Sequence, residues 1–201
     1  MSTRKRLSPE QSRLAALEAA RQQLIEGGPQ SVTLKAVATR IGRTHANILH
    51  HFGSAADLQK ALAAFLAQTV CDSIAEAFRA TRNGVGTPRD VVDLTFDAFG
   101  AEGGGPLVMW MLATGHEDAL EPVLESIRHL IEATVADFQG DGGNSRALHE
   151  VALNVVLMAL GDGLIGVQLA DALRVDREGS RDLAEKLVID ALTRLVASGN
   201  G

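Results

Sequence analysis

Apolar residues along this chain recur at spacings of three and four, and no segment alternates with a period of two, so the pattern predicts an all-α protein of about nine helices. Ser8-Pro9-Glu10-Gln11 places a capping serine, a proline at the first helical position and a glutamine three residues after the cap, opening a helix that runs to Gly27-Gly28. Leu14, Leu17, Leu24 and Ile25 are expected to share its buried face. Thr33 caps a two-turn helix in which Leu34, Val37, Ala38 and Ile41 fall at i, i+3, i+4 and i+7, and Gly42 permits a left-handed exit. Thr44 caps a third helix ending near Phe52-Gly53, and Ser54 to Asp57 starts a long helix through Leu58, Leu62, Phe65 and Phe78.

Asn83-Gly84-Val85-Gly86 marks a junction, after which Thr87-Pro88-Arg89-Asp90 opens the next helix much as Ser8-Pro9 opens the first. Pro106 and Pro122 sit near two further helix starts. Leu124, Ile127, Ile131, Val135 and Phe138 continue the helical period until Gly140 to Gly143 breaks it. Two helices remain, roughly Ser145 to Leu173 and Asp182 to Ala197, the latter with a broad stripe of Leu187, Val188, Ala191, Leu192 and Leu195.

Composition narrows the class. A chain of 201 residues, 46% hydrophobic and 22% charged, has an ordinary globular balance. Its single cysteine, Cys71, excludes an internal disulfide framework and a cysteine-rich zinc site. The basic start, Met1 to Leu7, leads into an amphipathic segment and not into an export signal. The long apolar run from Val151 to Leu173 contains Asn154, Asp162, Gln168 and Asp171, which a lipid-facing helix tolerates poorly, so a soluble, cytoplasmic protein is expected. Charge is distributed unevenly. Residues 1–60 carry nine Lys and Arg against four Asp and Glu, a net +5, while the remainder carries ten against 21, a net −11, together giving −6. A basic module on an acidic body suits a polyanionic partner such as DNA, since only the basic part gains from approaching phosphates.

Two short helices joined by a glycine-containing turn, within that basic region, are what a DNA-reading helix-turn-helix requires. In the second helix Ile48 and Phe52 form the expected buried face, leaving His45, Asn47, His50 and His51 outward for base edges. Arg43 and Thr44 at its start, with Lys35 on the preceding helix, are candidates for phosphates or a guanine. Arg40, Lys60 and the arm Arg4-Lys5-Arg6 add candidate phosphate contacts.

The segment from Thr33 to Ser54 resembles the TetR family signature in the capping Thr33, the pair Val37-Ala38, the turn Gly42, Ile48 and the ending His51-Phe52-Gly53-Ser54. The resemblance implies a three-helix DNA-binding domain over residues 1–54 and a helical ligand-binding and dimerisation domain over 55–201. It also implies a repressor that binds a near-palindromic operator as a homodimer and is released by a small apolar or amphipathic effector. Two departures stand out. The family usually has a tyrosine where this chain has Leu49, and a lysine where it has Ala55, both typically touching the DNA backbone. An all-helical dimeric adaptor with weakened DNA binding is the alternative.

Phe96, Phe99, Met109, Trp110, Phe138 and Met158 are candidates for lining an effector cavity, although bulky, adaptable residues fill cores equally well. Gly161-Asp162-Gly163-Leu164-Ile165-Gly166 matches a dinucleotide-binding pattern, but no strands flank it to build a βαβ unit. On a helix, Ala152, Ala159, Gly163, Gly166 and Ala170 form instead a stripe of small residues, expected to be a dimer seam with Leu187, Ala191 and Leu195 of the last helix. The resemblance supports pairing of the last two helices into a four-helix bundle. His116, Glu117 and Asp118 are consecutive and cannot converge on one ion, so no metal site is expected. Neither a cofactor motif nor a nucleophile constellation is present, and enzymatic function is not expected.

Overall fold

A computed structural model describes residues 8–139 and 146–198; the arm at 4–6 and the glycine-rich break at 140–143 lie outside them. Among the described residues the chain forms nine α-helices and no strand: α1 (Pro9–Gly27), α2 (Leu34–Arg40), α3 (His45–Phe52), α4 (Ala55–Arg82), α5 (Pro88–Phe99), α6 (Gly104–Ala113), α7 (Glu121–Gln139), α8 (Arg146–Leu173) and α9 (Glu178–Ser198). Single 3-10 turns occupy Pro29–Ser31 and Glu117–Leu120. Local chemistry sets most boundaries. The Gln11 N–H donates to Ser8 Oγ at 3.1 Å while the Ser8 N–H donates back to Gln11 Oε1 at 3.0 Å, completing a capping box. Helix α9 starts earlier than the predicted Asp182 because Asp176 Oδ1 accepts the Glu178 N–H at 2.9 Å and so provides an upstream cap.

Apolar side chains gather into two cores. The first joins Leu17 and Leu24 of α1, Val37 of α2, Ile48 and Phe52 of α3, and Leu58 and Leu62 of α4, and it takes in Leu107 and Met111 of α6. The second joins Ile74 and Phe78 of α4 to Phe96 of α5, Ile131 of α7, Val155 and Ala159 of α8, and Val188 of α9. Helix α4 therefore belongs to both, its first half closing the N-terminal module and its second half entering the body. Each buried Leu or Phe stabilises its core by about 1.5–3 kcal/mol, so neither core is complete without α4.

Three faces differ from the sequence expectation. On α1, Leu14 and Ile25 are exposed and Ala16 and Ala20 are buried, because small residues let α1 approach its neighbours closely. On α7, Leu124 is exposed while Thr134 is buried, its hydroxyl satisfied by the Leu130 carbonyl at 2.8 Å. On α8 the small-residue stripe faces the protomer's own interior: Ala159 is 0% exposed, and a Cβ on Gly163 would lie 2.6 Å from the Phe99 carbonyl oxygen. Glycine at 163 lets the end of α5 cross α8 in contact with its backbone. A Cβ on Gly166 would collide with the Asp162 carboxylate, which is buried and receives Arg177 Nε at 2.8 Å and Nη2 at 2.7 Å. The motif that mimics a dinucleotide fingerprint is thus an internal helix crossing, beside which the buried Asp162 pairs with the more exposed Arg177.

Helices α5 and α9 are tied by charge as well. Arg181 reaches Asp93 at 2.8 Å and Asp97 at 2.7 Å, and Arg89 reaches Asp93, Asp182 and Glu178. Such partly exposed pairs contribute little singly, about 0–1 kcal/mol, but they fix which faces meet.

Cys71 is buried on α4, and that burial, with Asp72 adding to it, pushes its thiol up to about 11 from an ordinary 9.0. A raised thiol pKa favours the folded state while the group is protonated, so this contribution is intact below pH 9 and is lost as pH climbs through 11. The wild-type denaturation midpoint is therefore expected to fall more steeply than that of Cys71→Ala between those values. Parallel curves would show that the thiol is not linked to folding.

Candidate nucleic-acid interface and effector cavity

Helix α3 is held from behind and at both ends. Thr44 caps it, its Oγ1 accepting the Asn47 N–H at 3.2 Å, and Gly42 at φ 64° makes the turn from α2. Ile48 and Phe52 are buried in the first core, as the one-turn spacing predicts. At the far end Arg13 of α1 donates through Nη1 to the His51 carbonyl at 2.8 Å and lies over the Phe52 ring at 4.5 Å. A cation at a helix C-terminus also satisfies the negative end of its dipole. Arg13 was not a sequence candidate, because a contact 38 residues away leaves no local signal.

The outer side of α3 presents His45, Ala46, Leu49 and His50 to solvent. Lys35, Arg43 and Thr44 are exposed around it, and neither Lys35 nor Arg43 enters an ion pair among the described residues. Asn47 and His51 are less open. Asn47 is half-buried, and its Oδ1 is enclosed without a hydrogen-bond partner, so its outward placement is corrected; the His51 ring rests between His50 and Phe52. Arg40 and Lys60 are not free for phosphates. Arg40 forks onto Glu26 of α1, and Lys60 bridges to Asp118 at 2.8 Å, each pairing raising the base's pKa. At the α4 start Ser54 Oγ accepts the Asp57 N–H at 3.0 Å, so the first turn carries the Asp57 carboxylate, with Ala55 standing where the family usually has a lysine.

Residues 16–62, which contain α2, α3 and the start of α4, match the family model described as bacterial regulatory proteins, tetR family. The DNA-reading module of this chain is of the TetR family. With such a module the protein is a DNA-binding transcriptional regulator. Its fold recurs across nearly its full length in solved structures. The multidrug binding protein EbrR in complex with imidazole superposes with a TM-score of 0.59 at 16% identity, covering 87% of this chain and 93% of that one. A TetR-family regulator from Streptomyces coelicolor A3 gives 0.51 at 17% identity over 95% and 99%. The fatty acid degradation regulator FadR from Bacillus halodurans gives 0.50 at 15% identity over 92% and 96%. Comparison with curated protein sequences yields no match.

Where the two cores meet, α4, α5, α6, α7 and α8 border a partly open cavity of about 130 Å³, its wall almost wholly apolar. Leu66, Val70 and Phe78 of α4, Phe99 of α5, Ile127 of α7 and Ala152 of α8 form much of it. Of the five expected residues whose side chains are described, Phe99 alone is placed on the wall. Phe96 is fully buried behind it, with Arg181 5.1 Å from its ring centroid, and Met158 packs in the second core. Met109 and Trp110 lie on the outer side of α6, Trp110 being 36% exposed. Helix α6 is apolar on nearly every side, so its sequence carries no period to orient it. The Phe138 side chain falls outside those described. Ala152, expected at the dimer seam, lines the cavity instead.

The remaining seam residues divide similarly. Ala159 and Ala191 are core, Gly163 closes on α5, Gly166 accommodates Asp162, and Leu187 and Ala170 are half-buried; the Leu195 side chain lies outside those described. The side of α8 that meets solvent carries Leu153, Leu157, Ile165 and Leu169, the first two 61% and 57% exposed.

Proposed function

We propose that this TetR-family regulator is a cytoplasmic repressor that binds a near-palindromic operator as a homodimer and is released by a small apolar or amphipathic effector held in the α4–α8 cavity. The observation that carries the reading is a recognition helix anchored by Ile48, Phe52 and Arg13 with His45 and His50 facing outward and Lys35 and Arg43 unpaired beside it. His45, His50 and exposed Leu49 are assigned to base edges, the last suited to a thymine methyl; Lys35, Arg43 and Thr44 are assigned to phosphates. Asn47 and His51 take a lesser, edge role because they are partly covered.

Dimerisation is supported by the exposed row on α8. By length and composition α4 and α8 would each pass as a membrane span, yet α8 carries the Asp162–Arg177 pair and packs one side against α5 and α9. Apolar surface on its other side then calls for a protein partner, and a second copy of the same row suits a two-fold axis. This assignment replaces the small-residue seam. Two-fold symmetry places two α3 helices on successive major-groove faces, about 34 Å apart.

Operator fragments selected from random duplex DNA provide the test. Arg43→Ala is expected to weaken binding of every sequence and to lower the slope of log K against log salt by about one. His50→Ala is expected to relax preference at one base-pair position by about 1–3 kcal/mol with the salt slope unchanged. Failure to enrich any sequence would instead support an adaptor that retained the fold.

A further inference from the structure

One carboxylate belongs at once to the cavity and to the contact between the body and the DNA-reading module. Glu102, in the segment joining α5 and α6, is the one acidic or basic side chain among the described residues lining the cavity. Its Oε2 accepts Arg21 Nε of α1 at 2.7 Å and lies 2.5 Å from Arg21 Nη2. The next residue, Gly103, turns at φ 81° directly against α1, where an added Cβ would lie 3.0 Å from Leu24 Cγ. The same helix α1 carries Arg13, which holds the end of α3. A continuous set of contacts therefore runs from the cavity wall through Glu102 and Arg21 to the recognition helix.

Magnitudes decide what such a wall accepts. Arg21 and Glu102 are each about one-third exposed, so their pair contributes little and is readily exchanged. A cation inside an apolar cavity without a counter-charge is strongly disfavoured, and an anion facing Glu102 more so. The discrimination lies in the penalty avoided. Resting on the reading of this cavity as the effector site, we infer that it selects apolar molecules ending in a single positive charge, and that their capture by Glu102 releases Arg21 and loosens α1. A volume of about 130 Å³ suits a single ring or a short alkyl chain.

Calorimetric titration of the full-length protein with n-octylammonium, 1-octanol and octanoate tests this. The ammonium is expected to bind at least about tenfold more tightly than the alcohol, and octanoate not at all. Glu102→Gln should erase the preference while retaining octanol. Arg21→Ala, a change outside the cavity wall, should tighten octylammonium about fivefold by removing its competitor and leave octanol unaltered, which a purely structural role would not produce. By reciprocity octylammonium should weaken operator binding by the wild type and not by Glu102→Gln. Equal affinity for ammonium and alcohol would overturn the role of Glu102 while the cavity reading stood; no binding by either would overturn the cavity reading itself.

Discussion

The double variant Leu153→Glu, Leu157→Glu is expected to sediment as a folded monomer and to bind operator DNA about 10²–10⁴-fold more weakly than the wild type. Both leucines are largely exposed in the lone protomer, so the changes leave its two cores untouched and its helical content should persist. Across a two-fold interface the same positions would each bury apolar area worth about 1.5–3 kcal/mol, and replacing them sets four carboxylates against one another in a desolvated patch. Loss of the dimer turns two linked half-site contacts into independent ones, which is where the affinity disappears. Sedimentation and fluorescence anisotropy on one sample separate the steps. A variant that stays dimeric would move the interface elsewhere, and a monomer with undiminished affinity would remove dimerisation from the mechanism.

Gly163→Val should lower the melting temperature by about 6–12 °C, from a loss of about 3 kcal/mol. The added Cβ would meet the Phe99 carbonyl oxygen at 2.6 Å, its carbon at 2.8 Å and the Gly100 nitrogen at 3.1 Å, all backbone atoms that no rotamer change can relieve. To make room, α5 and α8 must separate, and with them Phe99 on the cavity wall. Gly163→Val is therefore expected to alter effector response as well as stability. A Cβ at neighbouring Gly161 meets nothing within 4 Å, so Gly161→Ala introduced into the Leu153→Glu, Leu157→Glu monomer should be neutral or slightly stabilising. If the two glycines respond alike, the close crossing is not what position 163 provides.

The helix starts were legible because their causes are local. Ser8, Thr33, Thr44 and Ser54 each bond an amide three residues on, and prolines 9 and 88 need no donor where they stand. The anchoring of α3 was equally visible, since Ile48 and Phe52 must share a side at a spacing of four. Rotational orientation was harder. In α8 large and small residues occupy different sides, and either assignment gives an amphipathic helix; the inward choice went to Ala159 and Gly163 because the end of α5 needed room. Long-range contacts such as Arg13 to the His51 carbonyl and Arg21 to Glu102 span 38 and 81 residues, and nothing local announces them.

Taken alone, the order of residues determined where most of the helices begin, which pair forms the DNA-reading unit, and that the N-terminal part is basic and the rest acidic. Folding in three dimensions decided which side of α8 is buried, which residues wall the cavity, and that an acidic group there is shared with α1. The division follows from range: caps and turns are settled by atoms a few positions apart, whereas the side a helix buries depends on the shape of whatever packs against it.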